Sequence, residues 1–293
     1  MMRESCLVAS FILATLCVPA VAVAKGELRR SAEPLCITQG PGDNGNPTIG
    51  VNSNGRVFVA WQHHDLERGS VQICLSEAPY WATRPIATFS SPQPERVALS
   101  LDVGERIHLA WSEPTALAQT VALCGLEPRL TQPQSWTLPI PLPSEFVVDG
   151  DGCLHTIWGE GGAIAYQHSS ADTTVTATLE AGVTVAELSL ALDDKALPHL
   201  AWSAPELPAQ TAGIYYASLA GQAEPVQVTA GGHRPQLAMG PSGRAHLCWL
   251  TERGLHYATS QDWTVSRVVV ASLLESDAFA LAAGPGEVAH LVW

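Results

Sequence analysis

Basic residues are scarce in this sequence, and their scarcity excludes two classes of partner. The chain of 293 residues holds 15 lysines and arginines against 28 aspartates and glutamates, which gives a formal net charge of −13. An acidic surface repels phosphate groups, and no basic stretch is present that could hold an anionic membrane. Nucleic acid is therefore not expected as a partner.

The sequence also lacks the short motifs of catalysis and cofactor binding. It contains no Gly-x-Ser-x-Gly, no His-Glu-x-x-His, no Walker loop and no dinucleotide fingerprint. We therefore predict no cofactor and no metal site, and we favour a binding protein over an enzyme. An active site assembled from distant loops would need no such motif, so an enzyme remains the alternative.

Cysteine is too sparse for a disulfide framework. Beyond residue 24 the cysteines are irregularly spaced and odd in number: Cys36, Cys74, Cys124, Cys153 and Cys248. This pattern favours buried or isolated thiols over specific bridges.

Only one long apolar run occurs, and it lies near the start of the chain. Residues 7–20 are almost continuously apolar, Arg3 precedes them, and Ala22-Val23-Ala24 follows as a small-x-small cleavage pattern. This layout is typical of a secretory signal peptide, and the run is shorter than the roughly 20 residues that a membrane span needs. We predict a signal peptide at residues 1–24, no membrane insertion, and a single secreted or periplasmic domain at residues 25–293 that acts as a monomer.

An internal repeat determines the predicted fold. Six segments of 15 residues align without a gap, and each ends in tryptophan. They are PTIGVNSNGRVFVAW (47–61), VALSLDVGERIHLAW (97–111), SEFVVDGDGCLHTIW (144–158), LSLALDDKALPHLAW (188–202), PQLAMGPSGRAHLCW (235–249) and FALAAGPGEVAHLVW (279–293). Small or apolar residues, a turn-forming centre and a second run of mostly β-forming residues predict a β-hairpin in each segment.

Two further strand-like runs follow each internal tryptophan. Four strands in about 45 residues are typical of a propeller blade. The sixth unit ends at Trp293 after two strands, whereas residues 26–31 and 33–38 match the third and fourth strands of the other units. The sequence thus predicts an all-β fold, a six-bladed β-propeller with four-stranded blades. Its N-terminal outer strands would pair with its C-terminal inner strands and close the ring.

The repeated pattern resembles that of sialidase-like propellers and related exported six-bladed propellers. It consists of small and apolar residues, a turn glycine, His-Leu-Ala-Trp as at 199–202 and Gly-Ile-x-Tyr-Ala-Ser as at 213–218, and it covers residues 26–293. The Asp-box turns of sialidases, Ser-x-Asp-x-Gly-x-x-Trp, are absent, and at most two of their three central arginines can be placed. The resemblance therefore implies the architecture and not sialidase activity.

Candidate binding residues gather at one predicted face, the loop face. A carboxylate follows each internal tryptophan, and in a propeller these positions open on one side, where a ring of negative charge would attract a cation or a basic partner. Two arginines each precede a repeat segment, as Asn46 does in the first repeat, and are expected near the axis. Two histidines stand in the predicted loop after Trp61. The predicted set is Asp65, Glu113, Glu160, Glu206, Glu252, Arg96, Arg234, His63 and His64.

Histidine recurs three residues before tryptophan, at His108, His155, His199, His246 and His290. Equivalent positions in neighbouring blades are too far apart to share one metal ion, whose ligands lie about 2 Å from it. We therefore expect packed histidines bonded to nearby backbone. The run Asp149-Gly150-Asp151-Gly152 is too short for a calcium loop and predicts a tight turn.

These observations predict a binding or scaffold protein that recognises a protein or a glycan through its loop face. The alternative is a carbohydrate-active hydrolase or lyase, such as a sialidase-like glycosidase. A glycosidase needs two carboxyl groups that flank the scissile bond, and no such pair stands out in the sequence.

Overall fold

Strands make up almost all of the regular structure. A computed structural model describes residues 8–13, 29–30, 35–38, 42–78, 81, 84–89, 96–101, 107–114, 119–126, 134–138, 144–149, 151, 153–160, 162–169, 174–207, 211–219, 224–271, 273 and 278–293. In this part of the chain the one helix is a short 3-10 turn, Pro285–Glu287. A search of the same residues finds no helix with the length and apolar character of a membrane span.

The strands are numbered along the chain. They are β1 (Val8–Leu13), β2 (Arg29–Arg30), β3 (Leu35–Cys36), β4 (Asp43–Val51), β5 (Val57–Asp65), β6 (Ser70–Glu77), β7 (Arg84–Phe89), β8 (Arg96–Leu101), β9 (Ile107–Pro114), β10 (Gln119–Leu126), β11 (Gln134–Leu138), β12 (Ser144–Val148), β13 (Leu154–Glu160), β14 (Ala163–Ser169), β15 (Thr174–Glu180), β16 (Glu187–Leu192), β17 (Pro198–Ala204), β18 (Gly213–Ser218), β19 (Val226–Ala230), β20 (His233–Met239), β21 (Ala245–Thr251), β22 (Gly254–Thr259), β23 (Asp262–Val270), β24 (Ala280–Gly284) and β25 (Val288–Val292).

Antiparallel sheets of consecutive strands repeat along the described chain. Five of them hold four strands each, namely β4–β7, β8–β11, β12–β15, β16–β19 and β20–β23, and a further sheet joins β24 and β25 to β1, β2 and β3. The inner strands β4, β8, β12, β16, β20 and β24 contact one another in this order, and β24 contacts β4 again. This cyclic order around an axis is that of a β-propeller, so the predicted all-β propeller fold is confirmed.

Small residues allow the inner strands to approach the axis. The fourth position of the repeat holds Gly50 in β4, where an added Cβ would collide with the side chain of Leu99 in the neighbouring sheet. The hairpins predicted in the six repeats are confirmed as β4–β5, β8–β9, β12–β13, β16–β17, β20–β21 and β24–β25.

An Asx turn explains why three of these hairpins form where they do. In each, the side-chain oxygen at the sixth repeat position accepts two backbone N–H bonds, from residues two and four further on. The accepting residues are Asn52, Asp149 and Asp193. Asn and Asp favour such turns because their short side chains reach these N–H groups. The tight turn predicted at Asp149 is confirmed at the described residues 149, 151 and 153.

The repeated tryptophans pack between sheets. Trp61, Trp202 and Trp249 are each at most 1% exposed. Trp202 lies in a core cluster with Ile157 of the preceding sheet, and Trp249 lies in one with Ala201 of its own preceding sheet. Each indole can bury about 150–250 Å² of mainly apolar surface, which stabilises the contact between neighbouring sheets.

The sheet at the chain ends differs from the prediction in one strand. The ends do pair, but the strand beside β25 is β1, and β2 and β3 pair with β1. Residues 26–31 are expected there in a chain cleaved after residue 24, whereas β1 takes this place in the full chain. An apolar run such as Val8–Leu13 can pair as a strand as readily as it can form the core of a leader, and its composition does not distinguish the two.

One cysteine also departs from the prediction. Cys36 is disulfide-bonded, so the expectation of isolated thiols was wrong for this residue. Cys74, Cys153 and Cys248 are free. Burial raises the pKa of the Cys74 thiol to about 11, so this thiol stays protonated and unreactive at neutral pH.

Candidate functional site

A central cavity of about 600 Å³ runs between the inner strands. One end, here called the mouth, is lined by residues at the start of these strands, including Asn46, Glu145, Glu187 and Arg234. The other end, the turn end, is lined by residues of the hairpin turns, including Asp149 and Asp193. Polar side chains thus stand at both ends of the cavity, and a few convergent polar groups are what fixes the orientation of a ligand in a protein site.

Two backbone bulges turn polar side chains toward the mouth. Asn46 and Arg234 occupy the same repeat position and both have a positive φ, 49° and 53°. The strand register shifts at both places, between Gly45 and Thr48 and between His233 and Gln236. A proline follows each residue, Pro47 and Pro235, and it has no N–H for the ladder. Bulges of this kind redirect side chains and are frequent beside functional sites.

Arg234 and Glu187 are linked across neighbouring sheets at the mouth. The backbone N–H of Arg234 donates to Glu187 Oε2 at 2.5 Å, and the hydroxyl of Ser203 donates to the same oxygen at 2.8 Å. The guanidinium of Arg234 lies 5.4 Å from the ring centre of Phe279, which is a cation–π distance. The mouth therefore presents a positive and a negative group on a fixed frame.

The sequence interpretation missed Glu187, although a signal for it exists. Glu187 stands one residue before its repeat segment, as do Asn46, Arg96 and Arg234. Of these, Arg234 and Asn46 line the cavity as expected. Arg96 is the first residue of β8, opposite Ser112, and only its backbone is described. Glu145, the second residue of its repeat segment and so two positions further along, also lines the cavity and was not predicted.

The predicted carboxylates lie at or near the end of the second strand of their sheets, and those with described side chains lie away from the cavity. Glu160, Glu206 and Glu252 are exposed. Asp65 accepts bonds from the N–H groups of Glu67 and Arg68 in its own loop. Glu113 lies in β9 opposite Thr120, with only its backbone described. None of the four with described side chains lines the central cavity.

His63 and His64 lie in a strand, so their placement in a loop was wrong. The β5–β6 ladder continues through His63–Gln72 and His64–Val71 as far as Asp65–Ser70, which shortens the connection to four residues, 66–69. His63 Nδ1 lies 3.0 Å from Asn44 Oδ1, which also accepts a bond from the Trp61 indole N–H. His63 therefore belongs to a side-chain network behind the mouth.

A tyrosine–histidine–carboxylate series recurs toward the turn end, in three sheets. In each, histidine Nδ1 lies within hydrogen-bonding distance of a tyrosine hydroxyl and Nε2 faces a carboxylate. The series are Tyr166–His155–Asp149, Tyr216–His199–Asp193 and Tyr257–His246–Glu287. The Nε2-to-oxygen distances are 3.1, 3.7 and 2.9 Å respectively. These histidines bond to side chains, so the prediction of backbone partners was wrong for them.

Burial keeps these histidines neutral. It lowers the pKa of His155, His199 and His246, and the carboxylate beside each ring opposes this shift only in part. A neutral ring fits both neighbours at His155 and His246, because Nδ1 can accept from the tyrosine O–H while Nε2–H donates to the carboxylate. His199 Nε2 lies 3.7 Å from Asp193 Oδ2 and makes no hydrogen bond to a described residue. Burial raises the pKa of Tyr166 to about 12, so its phenol retains the proton that it donates.

One of the three series has an additional histidine. His168 Nε2 lies 4.0 Å from Asp149 Oδ2, and the ligand atoms of Asp149, His155 and His168 all lie within 4.8 Å of one another. Burial would raise the pKa of the Asp149 carboxyl, but bonds from His155 and from the N–H groups of Cys153 and Asp151 outweigh it and lower this pKa. This group of three has the composition of a metal site.

No protein-family model and no curated protein sequence matches this chain. Solved structures do match it. TolB from Acinetobacter baumannii is similar over 98% of this chain, with a TM-score of 0.58 and 8% identity, and this chain spans 63% of the TolB chain. An α-L-arabinanase of Penicillium chrysogenum complexed with arabinobiose has a TM-score of 0.51 and 11% identity over 85% of this chain and 93% of that chain.

A subtype N10 neuraminidase-like protein of A/little yellow-shouldered bat/Guatemala/060/2010 matches with a TM-score of 0.51 and 8% identity over 86% of this chain and 93% of that chain. At such identities these similarities show the fold alone, a β-propeller. The resemblance to sialidase-like propellers therefore holds for the architecture.

Proposed function

We propose that this chain is an exported six-bladed propeller that binds a glycan at the mouth of its central cavity. The observation that carries the proposal is the pair of bulges that aim Asn46 and Arg234 into one cavity beside Glu187. Sugar hydroxyls donate and accept hydrogen bonds in fixed directions. A carboxylate, a guanidinium and an amide on a rigid frame match this chemistry.

The proposal of six blades rests on the repeats and on the cyclic contacts of the inner strands. Each repeat supplies the first two strands of one sheet, and the sheet at the chain ends accounts for the sixth repeat. Pairing of the N-terminal strands with β25 closes the ring and leaves no inner sheet edge exposed.

Export rests on the leader-like pattern at residues 1–24, and it conflicts with one strand. Cleavage after Ala24 would remove β1, so the place beside β25 would pass to another segment. The intact mass of the chain recovered from the periplasm or medium of an expressing bacterium distinguishes the two. A mass that begins at residue 25 supports export with a rebuilt terminal sheet, and a mass that includes residue 1 contradicts the leader.

A carbohydrate-active hydrolase is the second candidate, and one observation favours it. Glu145 and Glu187 come from neighbouring inner strands and line the same cavity, so two carboxyl groups face one space. A glycosidase uses such a pair as acid and base or as acid and nucleophile. One propeller of similar fold is an arabinanase complexed with arabinobiose. Arabino-oligosaccharides are therefore the first class of substrate to test.

The test is a glycan array together with a panel of chromogenic glycosides. The informative variant is Arg234→Asn, because asparagine stands at the equivalent position 46 and tolerates a positive φ. We expect glycan binding by the wild type and at least about a 10-fold weaker affinity in the variant, the loss of one charge-assisted bond.

Glu252→Gln is the matched control, since Glu252 is exposed and lies outside the cavity lining. An equal loss of glycan affinity in both variants would indicate that the binding surface includes the loop carboxylates, as the sequence alone predicts. If the wild type hydrolyses a glycoside and the Glu187→Gln variant does not, the chain is a hydrolase and the proposal of a binding protein is wrong. No glycan signal in either assay would contradict the glycan proposal and favour a protein partner.

A further inference from the structure

We propose that Asp149, His155 and His168 bind one divalent transition-metal ion, with zinc as the reference ion, at the turn end of the sheet β12–β15. This site lies at the opposite end of the cavity from the mouth and does not depend on the proposed glycan binding.

The spacing of the three ligand atoms fits a single ion after small shifts. Two ligands about 2.1 Å from a tetrahedral zinc lie about 3.4 Å apart. Asp149 Oδ2 lies 3.1 Å from His155 Nε2 and 4.0 Å from His168 Nε2. The two imidazole rings are stacked with centroids 4.4 Å apart, so both side chains already converge on one side of the carboxylate.

The other polar atoms of two ligands are already engaged, and the converging atoms, Asp149 Oδ2 and His155 Nε2, bond to each other at 3.1 Å, a bond that a metal ion would replace. Asp149 Oδ1 accepts the N–H groups of Asp151 and Cys153 at 2.9 and 2.8 Å. His155 Nδ1 lies 2.8 Å from the Tyr166 hydroxyl. With a metal bound, the His155 ring would adopt the tautomer that carries its proton on Nδ1. Nδ1–H would then donate a hydrogen bond to the Tyr166 oxygen, and the lone pair of Nε2 would face the metal. Such outer partners orient ligands in protein metal sites.

His168 Nε2 is one of several buried polar atoms that have no hydrogen-bond partner among the described residues. It differs from the others in that a carboxylate oxygen and a second imidazole nitrogen lie within 4.8 Å of it. The His168 side chain is 30% exposed, so the site lies near the protein surface. A buried imidazole nitrogen without a hydrogen bond costs free energy, and a metal ion would satisfy it.

The comparison with the other sheets shows that His168 is not part of the structural repeat. In the β13–β14 ladder His168 stands opposite His155. The residue opposite the equivalent histidine is Ser218 in β18 and Thr259 in β22. Those two sheets keep the tyrosine, the histidine and the carboxylate without a third ligand, so packing alone requires only those three.

The ligand set selects the class of ion. Two imidazoles and one carboxylate suit zinc and other divalent ions of the late first row and disfavour calcium and magnesium, which take oxygen ligands. Three protein ligands leave a fourth tetrahedral position, which water would take.

The experiment is titration of the metal-stripped full chain with zinc by calorimetry, and with cobalt by visible absorption. We expect one high-affinity equivalent, and intense d–d bands near the positions typical of four-coordinate cobalt. His168→Ser is the informative variant because serine is native at the equivalent position 218 and should leave the fold intact. We expect at least about a 100-fold weaker affinity in this variant and about 10-fold to 100-fold weaker affinity in Tyr166→Phe.

Two controls separate this site from other histidines. His199→Phe alters a tyrosine–histidine–carboxylate series that has no third ligand and should leave the titration unchanged. The double variant His63→Ala with His64→Ala tests the exposed side of β5 and should also leave it unchanged. Absence of a stoichiometric equivalent, or full retention of affinity in His168→Ser with normal thermal unfolding, would overturn the proposal.

Discussion

The two faces of the propeller, the one at the turn end and the loop face, hold their charged groups in different ways. At the turn end, Asp149 and Glu287 are largely enclosed and bonded to buried histidines, so their charges contribute to the stability of the fold. On the loop face around the mouth, Glu160, Glu206 and Glu252 are exposed. The difference teaches that a carboxylate repeated around the ring can be structural at one end and remain free for a partner at the other.

The largest expected effect comes from breaking a series at the turn end. His246→Phe should lower the free energy of unfolding by about 3 kcal/mol, because it leaves the Tyr257 hydroxyl and the Glu287 carboxylate without their shared partner. The size of the side chain is tolerated, since Phe58 occupies this position in the first repeat. Urea unfolding at neutral pH measures the change. A loss under 1 kcal/mol would mean that the series contributes little to stability and that the apolar core suffices.

A second effect is loss of stability in acid. Burial lowers the pKa of His290 to about 4, whereas an unfolded histidine titrates near 6.5. The unfolded chain therefore binds this proton first, and stability falls as the pH drops from about 6.5 toward 4. At pH 5 the preferred protonation of His290 in the unfolded chain lowers the free energy of unfolding by about 2 kcal/mol.

His290→Phe should flatten that part of the pH profile, as thermal unfolding between pH 7 and 4.5 would reveal. The wild type and the variant should lose different amounts of stability over this window while responding alike above pH 7. Parallel profiles throughout would show that His290 is protonated without cost in the folded state.

The smallest effect is expected on the loop face. Replacement of Glu160, Glu206 and Glu252 by glutamine should change the free energy of unfolding by less than about 0.5 kcal/mol, because exposed charges contribute little to stability. Urea unfolding of the triple variant at low and moderate salt checks this. A larger change would show that the carboxylates of the loop face also stabilise the fold, as those at the turn end do.

The hairpins and their turns follow from local chemistry and could be predicted. Each 15-residue repeat carries its own strand-forming runs, and Asn52, Asp149 and Asp193 close their turns within the same hairpin. The place of Arg234 near the axis could also be predicted from its repeat position, with Asn46 at the equivalent place. Sequence reasoning reached less far where the partner comes from elsewhere, as with Glu187, which it missed, and with β1, the strand that pairs with β25.

Glu287 illustrates what no local pattern contains. The fifth repeat has Gly240 where the first four repeats have Asn or Asp. The carboxylate of Glu287 from the next sheet fills the space that a side chain on Gly240 would need. Glu287 then accepts the N–H of Ser242 and bonds to His246. A missing turn residue is thus replaced by one from 47 positions further along the chain.

The sequence by itself determined the six hairpins, the tryptophans between sheets and the all-β propeller, because each depends on residues close together in the chain or on a pattern repeated along it. The tertiary structure alone decided which polar groups meet. Glu187 and Arg234, or Glu287 and His246, stand 47 and 41 residues apart and come together only because the ring sets neighbouring repeats side by side. Their meeting depends on the angle and distance between sheets, which a linear pattern does not encode.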